Sequence, residues 1–220
     1  MRMASLFAFS LLVGAAAQVF APSATSFAIA QPNTQSPAKA LPHDRHAGMD
    51  VSADPYTGQA RAKEKFGKAN PLPVGILPVE VFLHNETARA IKINLDTIQL
   101  EVRLPSGEHQ NLDWLAPEVV ARLIAHPGGT PNPSRPRLPI GLGISGDKKA
   151  QKFADTLRPL ALDGDIVPPM SVIHGFLFFN LSHDMALVST SSLYIPDAAV
   201  LPENKPLIFF EIPLSTPSQP

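Results

Sequence analysis

The chain predicts a mainly β protein, an antiparallel sandwich decorated with about three short helices. Three observations carry that expectation. Met170–Ser182 (MSVIHGFLFFNLS) is apolar on both faces at a period of two, with Ile173, Leu177, Phe179 and Leu181 on one side and Val172, Phe176 and Phe178 on the other. Several further stretches alternate apolar and polar residues without the strand–helix–strand rhythm of a parallel sheet. Proline, at 24 of 220 residues, is kept out of helix interiors and central strands, so this many implies numerous loops and edges.

Met1–Ala30 reads as a secretory signal. Arg2 is its positive start, Ala4–Ala17 is an uncharged apolar run, and Ala28-Ile29-Ala30 gives a small-x-small cleavage site before Gln31, with Ala15-Ala16-Ala17 as a second candidate. The run is shorter than the roughly 20 residues a spanning helix needs, so the mature chain is expected to have no transmembrane segment. The chain has no cysteine, and an exported domain without disulfides must be held by its core alone. A periplasmic or secreted bacterial protein is therefore expected. Net charge is −1, with Lys and Arg scattered, which points away from nucleic acid.

Residues 31–47 are polar and Pro-rich and are expected to form a disordered leader. A single domain over 48–215 follows, with a disordered tail at 216–220. Such a domain buries roughly 70% of its unfolded surface, enough for an independent core. Its first strand is expected at Met49–Ala53, followed by a short helix over Gly58–Phe66 with Thr57 as cap and Gly67 as terminator. Val74–His84 alternates as a half-buried strand, and Pro78, which cannot donate to a ladder, predicts an edge position or a bulge. Ile91 and Ile93 continue on odd positions, whereas Ile98, Leu100, Val102 and Leu104 are even. Residues 94–96 must therefore insert a residue or begin a new strand.

A turn at Pro105–Glu108 leads to a short strand ending near Leu112, and Pro117 opens a helix running to about Ile124. His126–Gly146 carries five prolines and five glycines, too long a stretch for an ordinary connection. Asp147–Leu160 is a second amphipathic helix, and the two helices with their loop form an insertion at about 116–160. The two-sided strand at 170–182 is expected in the middle of a sheet covered on both faces. Ser192–Ile195 and Pro206–Leu214 close the domain, the latter with Ile208, Phe210, Ile212 and Leu214 inward and Phe209 outward.

The order VEVFLHNET, IQLEV, GFLFFNL and the closing LYIP…LIFFEIPLS resembles secreted bacterial immunoglobulin-like sandwich proteins of uncharacterised function, over roughly Met49–Ser215. That resemblance implies a fold and no catalytic residue.

Several motifs invite chemistry. Gly141–Gly146 matches the GxGxxG of dinucleotide sites, but the preceding Pro133–Ile140 cannot be the buried strand that such a site requires. Ser145–Lys148 matches SxxK without the companion elements of penicillin-binding enzymes. His43 and His46, with Met49 nearby, are candidate ligands for a soft metal such as copper. His174 reads as a semi-buried strand residue, and His183-Asp184 as a base and its orienter without a partner. Asn85 and Asn180 open N-x-[ST] sequons. Phe82, Trp114 and Phe209, apolar on polar stretches, either pack under the helices or form a recognition surface. No nucleophile, base and orienter can be assembled, so a non-enzymatic envelope module binding a protein or glycan, with no cofactor, leads. A copper-handling protein using His43 and His46 is the alternative, and a hydrolase a distant third.

Overall fold

The structure, a computed structural model, describes residues 41–128 and 147–215. The export signal and its cleavage sites, leader residues 31–40, the glycine motif, Ser145 and the tail lie outside the described residues.

The described residues form twelve strands in three four-stranded antiparallel sheets, with three α-helices and no closed barrel. In chain order the strands are β1 (His43–His46), β2 (Met49–Pro55), β3 (Ile76–Asn85), β4 (Ile91–Ile93), β5 (Gln99–Arg103) and β6 (His109–Asp113). They continue with β7 (Ile166–Val167), β8 (Ser171–Asn180), β9 (Ser191–Ile195), β10 (Ala198–Val200), β11 (Lys205–Pro206) and β12 (Phe210–Pro213). The helices are α1 (Gln59–Phe66), α2 (Pro117–Ala125) and α3 (Lys148–Leu157). The first sheet has the order β1-β2-β3-β8, the second β11-β10-β4-β7 and the third β12-β9-β5-β6.

The phase change after Ile93 is a change of sheet. Asn94 accepts from the Asp96 N–H and closes a short 3-10 turn, which carries the chain from β4 in the second sheet to β5 in the third. The reverse step, β9 to β10, passes through Pro196-Asp197, and the two crossings are joined by Asn94 N donating to Asp197 O at 2.9 Å.

One apolar cluster draws on all three sheets. Odd residues of β2, β3 and β8 (Val51, Val81, Phe179) meet Ile93, Leu100, Leu193 and Phe210. A second cluster lies on the opposite face of the first sheet, where Ile76, Phe176 and Phe178 pack against Phe66, Val120, Ala154 and Leu157 of the three helices. The helices follow the apolar periodicity. Asp147 caps α3 by accepting from Lys149 and Ala150, and Gly67 (φ 58) terminates α1, whereas Thr57 does not cap α1 because Gly58 holds that position.

Four expectations are corrected. The two-sided strand β8 is a lateral strand, and β2 and β3 are the inner ones. Phe176 and Phe178 are covered on one face because the helices lie there, while the free edge of β8 is closed at its C-terminal half by other chain segments. Leu162 N donates to Phe176 O at 3.0 Å and Leu115 N to Phe178 O at 2.7 Å. Gly175 makes that approach possible, since a Cβ there would lie 2.5 Å from the Leu162 backbone. Pro78 consequently sits inside a sheet. It does so one residue beyond the last rung of the β2–β3 ladder (Pro55 with Val79), where it needs only to accept from Tyr56 N.

The polar leader, expected to remain unstructured to residue 47, enters the fold at Leu41. β1 pairs along β2, and Pro42 O accepts from Ala53 N. In the closing segment Phe210, Ile212 and Leu214 are buried as expected, but Ile208 is 68% exposed because regular pairing begins only at Phe210. The short strands β7, β10 and β11 carry too few residues to show a period.

Candidate functional site

The helices cover only half of the outer face of the first sheet. Even-numbered residues of β3 and β8 form that face in rows: Pro78 beside Phe178, Glu80 beside Phe176, Phe82 beside His174 and His84 beside Val172. The first two rows lie under the helices, whereas Val172 (51% exposed) and His174 do not. Phe82 stacks on the His174 imidazole with ring centroids 5.4 Å apart and planes 13° from parallel. Met170, just before β8, is 71% exposed.

Glu80 marks the boundary between the halves. Its side chain is nearly buried, and a buried carboxylate requires partners. Tyr56 OH donates to Oε2 at 2.8 Å, Lys65 Nζ lies 3.7 Å from Oε1, and His174 Nδ1 lies 3.4 Å from Oε1. Arg61 of α1 sits over the Tyr56 ring at 3.7 Å while donating to Asp54, and Lys65 lies 5.2 Å from the centre of the Phe176 ring. Burial first, then the hydrogen bond to Glu80 and its charge, push the Tyr56 phenol up to about 12. Tyr56 therefore remains a protonated donor at neutral pH. Ser52 shares a row with Phe82 and His174, but β3 lies between Ser52 and His174. Two strand spacings, roughly 9.5 Å, keep that hydroxyl out of hydrogen-bond reach of the imidazole.

The other singled-out residues lie elsewhere. His43 and His46 are three positions apart on β1, so their side chains point to opposite faces. His43 Nδ1 is 3.1 Å from Leu41 O, whereas His46 stacks on Phe210 at 4.0 Å and its Nε2 meets Ile208 O at 3.0 Å. Met49 is buried in the main core. β1 thus turns His43 to the face opposite His46 and Met49, which are cross-strand partners, so the three groups that the metal reading needs do not meet. Trp114 packs against the main core and donates its indole N–H to Leu95 O at 2.7 Å. Phe209 is 46% exposed and lies against Tyr194, on the third sheet's side of the molecule. Asp184 caps a 3-10 turn by accepting from Ala186 N, which occupies it locally rather than at His183.

Asn85 is fully buried and works as a clasp. Its amide donates to Arg89 O, Val167 O and Pro168 O, and its carbonyl accepts from Thr87 N and Thr87 Oγ1. This sequon asparagine therefore has no free nitrogen for glycan attachment in the folded chain.

The Tyr56–Glu80–His174 constellation was missed in the sequence. Tyr56 reads there as a turn residue, and its approach to Glu80 depends on β2 pairing with β3. The available signal was the glutamate itself, at a position of β3 whose face the helices cover.

No family model matches this chain, and no curated protein matches it. A distant structural neighbour is the crystal structure of a functionally unknown protein from Listeria monocytogenes EGD-e, 10% identical, with a TM-score of 0.32 over 76% of this chain and 80% of that one.

Proposed function

We propose that this chain is an exported envelope protein of the immunoglobulin-like sandwich type, and that it binds a protein or glycan partner non-enzymatically through the open half of the first sheet. The observation that carries this reading is the pair of uncovered rows, Phe82 with His174 and His84 with Val172, set on a scaffold whose opposite face is buried. A large apolar side chain beside an uncovered strand is the kind of surface that soluble domains reserve for partners. Export rests on Arg2, the apolar run Ala4–Ala17 and the small residues Ala28 and Ala30. The sandwich type rests on three antiparallel sheets sharing one core.

The test is a photo-crosslinking residue placed at Phe82 and, separately, at Phe209, in the cell that makes the protein. The expected result is a discrete adduct from position 82 that Val172→Asp abolishes. Equal adducts from both positions, or none from 82, overturn the surface. Intact mass of the recovered chain addresses export: a mature form beginning at Gln31 is expected, and one retaining Met1 in the membrane fraction refutes it.

A further inference from the structure

We infer that two copies of this chain join through the open part of the β8 edge, which extends the first sheet across a two-fold axis at Ile173. Residues of an antiparallel strand turn their N–H and C=O alternately toward one neighbour and the other. On β8, Phe176 O and Phe178 O point away from β3, to Leu162 N and Leu115 N. Val172 and His174 have the same phase, so their backbone groups also point away from β3. Among the described residues those groups meet no backbone partner.

The opening is two residues long, closed beyond Gly175 by Ala161–Leu162 and preceded by Pro168-Pro169. It carries two donors and two acceptors, spaced symmetrically about Ile173. A second copy running antiparallel sets Val172 against His174 of the partner subunit, and the reverse, making four hydrogen bonds with no group left over. A longer foreign strand would find nothing further to pair with. Each imidazole then faces a valine, so no like charges meet. Natural edges are usually blunted by lysine, proline or a bulge, and Ser171–His174 has none of these. The joint would set the exposed Val172 of each copy opposite His174 of the partner subunit and merge the two open half-faces into one. Being short, it falls at the weak end of interface sizes, so association depends on concentration.

The chain, as processed by the cell that makes it, is examined by sedimentation equilibrium across a wide concentration range. A monomer–dimer equilibrium is expected. Val172→Pro removes an outward N–H and leaves the β3–β8 ladder intact, so it should abolish the dimer with an unchanged melting temperature. Ile173→Cys adds a single thiol to a cysteine-free chain. Across the axis the two Cα atoms would lie about 4.5 Å apart, within the roughly 4.4–6.8 Å that a disulfide spans. Mild oxidation should give a covalent dimer far faster than with Phe209→Cys. A monomer at every concentration overturns the inference, as does a dimer that survives Val172→Pro or equal crosslinking by the two cysteine variants. Adducts from position 82 in a strictly monomeric protein would sink the dimer and leave the partner surface standing.

Discussion

Replacing Asn85 by alanine tests how the end of β3 is tied to the segment before β8. The side chain is fully buried, and its five hydrogen bonds reach Thr87, Arg89, Val167 and Pro168. Not all of these groups are orphaned by the change. Arg89 O keeps the Thr87 hydroxyl and Pro168 O keeps the Ser171 hydroxyl. Thr87 N loses its acceptor, and Val167 O loses a donor across 82 residues of sequence. One orphaned group at about 1–3 kcal/mol and one lost hydrogen bond at about 1 give a cost of roughly 2–4 kcal/mol. That is a large share of the ~5–15 kcal/mol that holds a typical domain together. Asn85→Asp should cost more, because it sets a buried carboxylate oxygen against three carbonyl oxygens where an amide now donates. Urea unfolding of the three proteins, compared at constant slope, measures both numbers. A cost below about 1 kcal/mol for alanine, or an aspartate variant no worse than the alanine one, refutes the clasp.

Phe179→Ala should cost about 3–5 kcal/mol, because the ring is fully buried in the three-sheet core, whereas Phe209→Ala, half exposed beside Tyr194, should cost clearly less. Equal shifts in the unfolding midpoint would contradict the assignment of faces. The chain has two tyrosines, and ultraviolet titration should show one phenol ionising near pH 12, above the usual value of about 10. Since the folded state holds that proton more tightly than the unfolded one, the stability Tyr56 contributes is full below about pH 10 and is lost as pH rises toward about 12. Tyr56→Phe should flatten that alkaline loss, and an unchanged alkaline profile would remove Tyr56 as its cause.

The sequence by itself determined the longer strands and the three helices, and which of their side chains point together. The period of two in Met170–Ser182 and Val74–His84, the proline opening α2 and the glycine closing α1 are local signals, since each depends on backbone geometry over a few residues. The phase change between Ile93 and Ile98 was legible for the same reason, although its meaning, a step from one sheet to another, was not. Only the tertiary structure decided which strands are inner. An apolar run reads alike whether its edges meet strands or, as in β8, strand β3 on one side and isolated residues such as Leu115 and Leu162 on the other. It also decided that His43–His46, polar and short, becomes a strand, since β2 supplies the ladder that composition could not announce. The Tyr56–Glu80–His174 group exists because three strands and α1 converge there, and the exposure of Val172 exists because the helices stop short of it. Side-chain direction is a property of neighbouring residues, whereas coverage of a face is set by elements distant in the chain, and on this protein that coverage separates core from candidate surface.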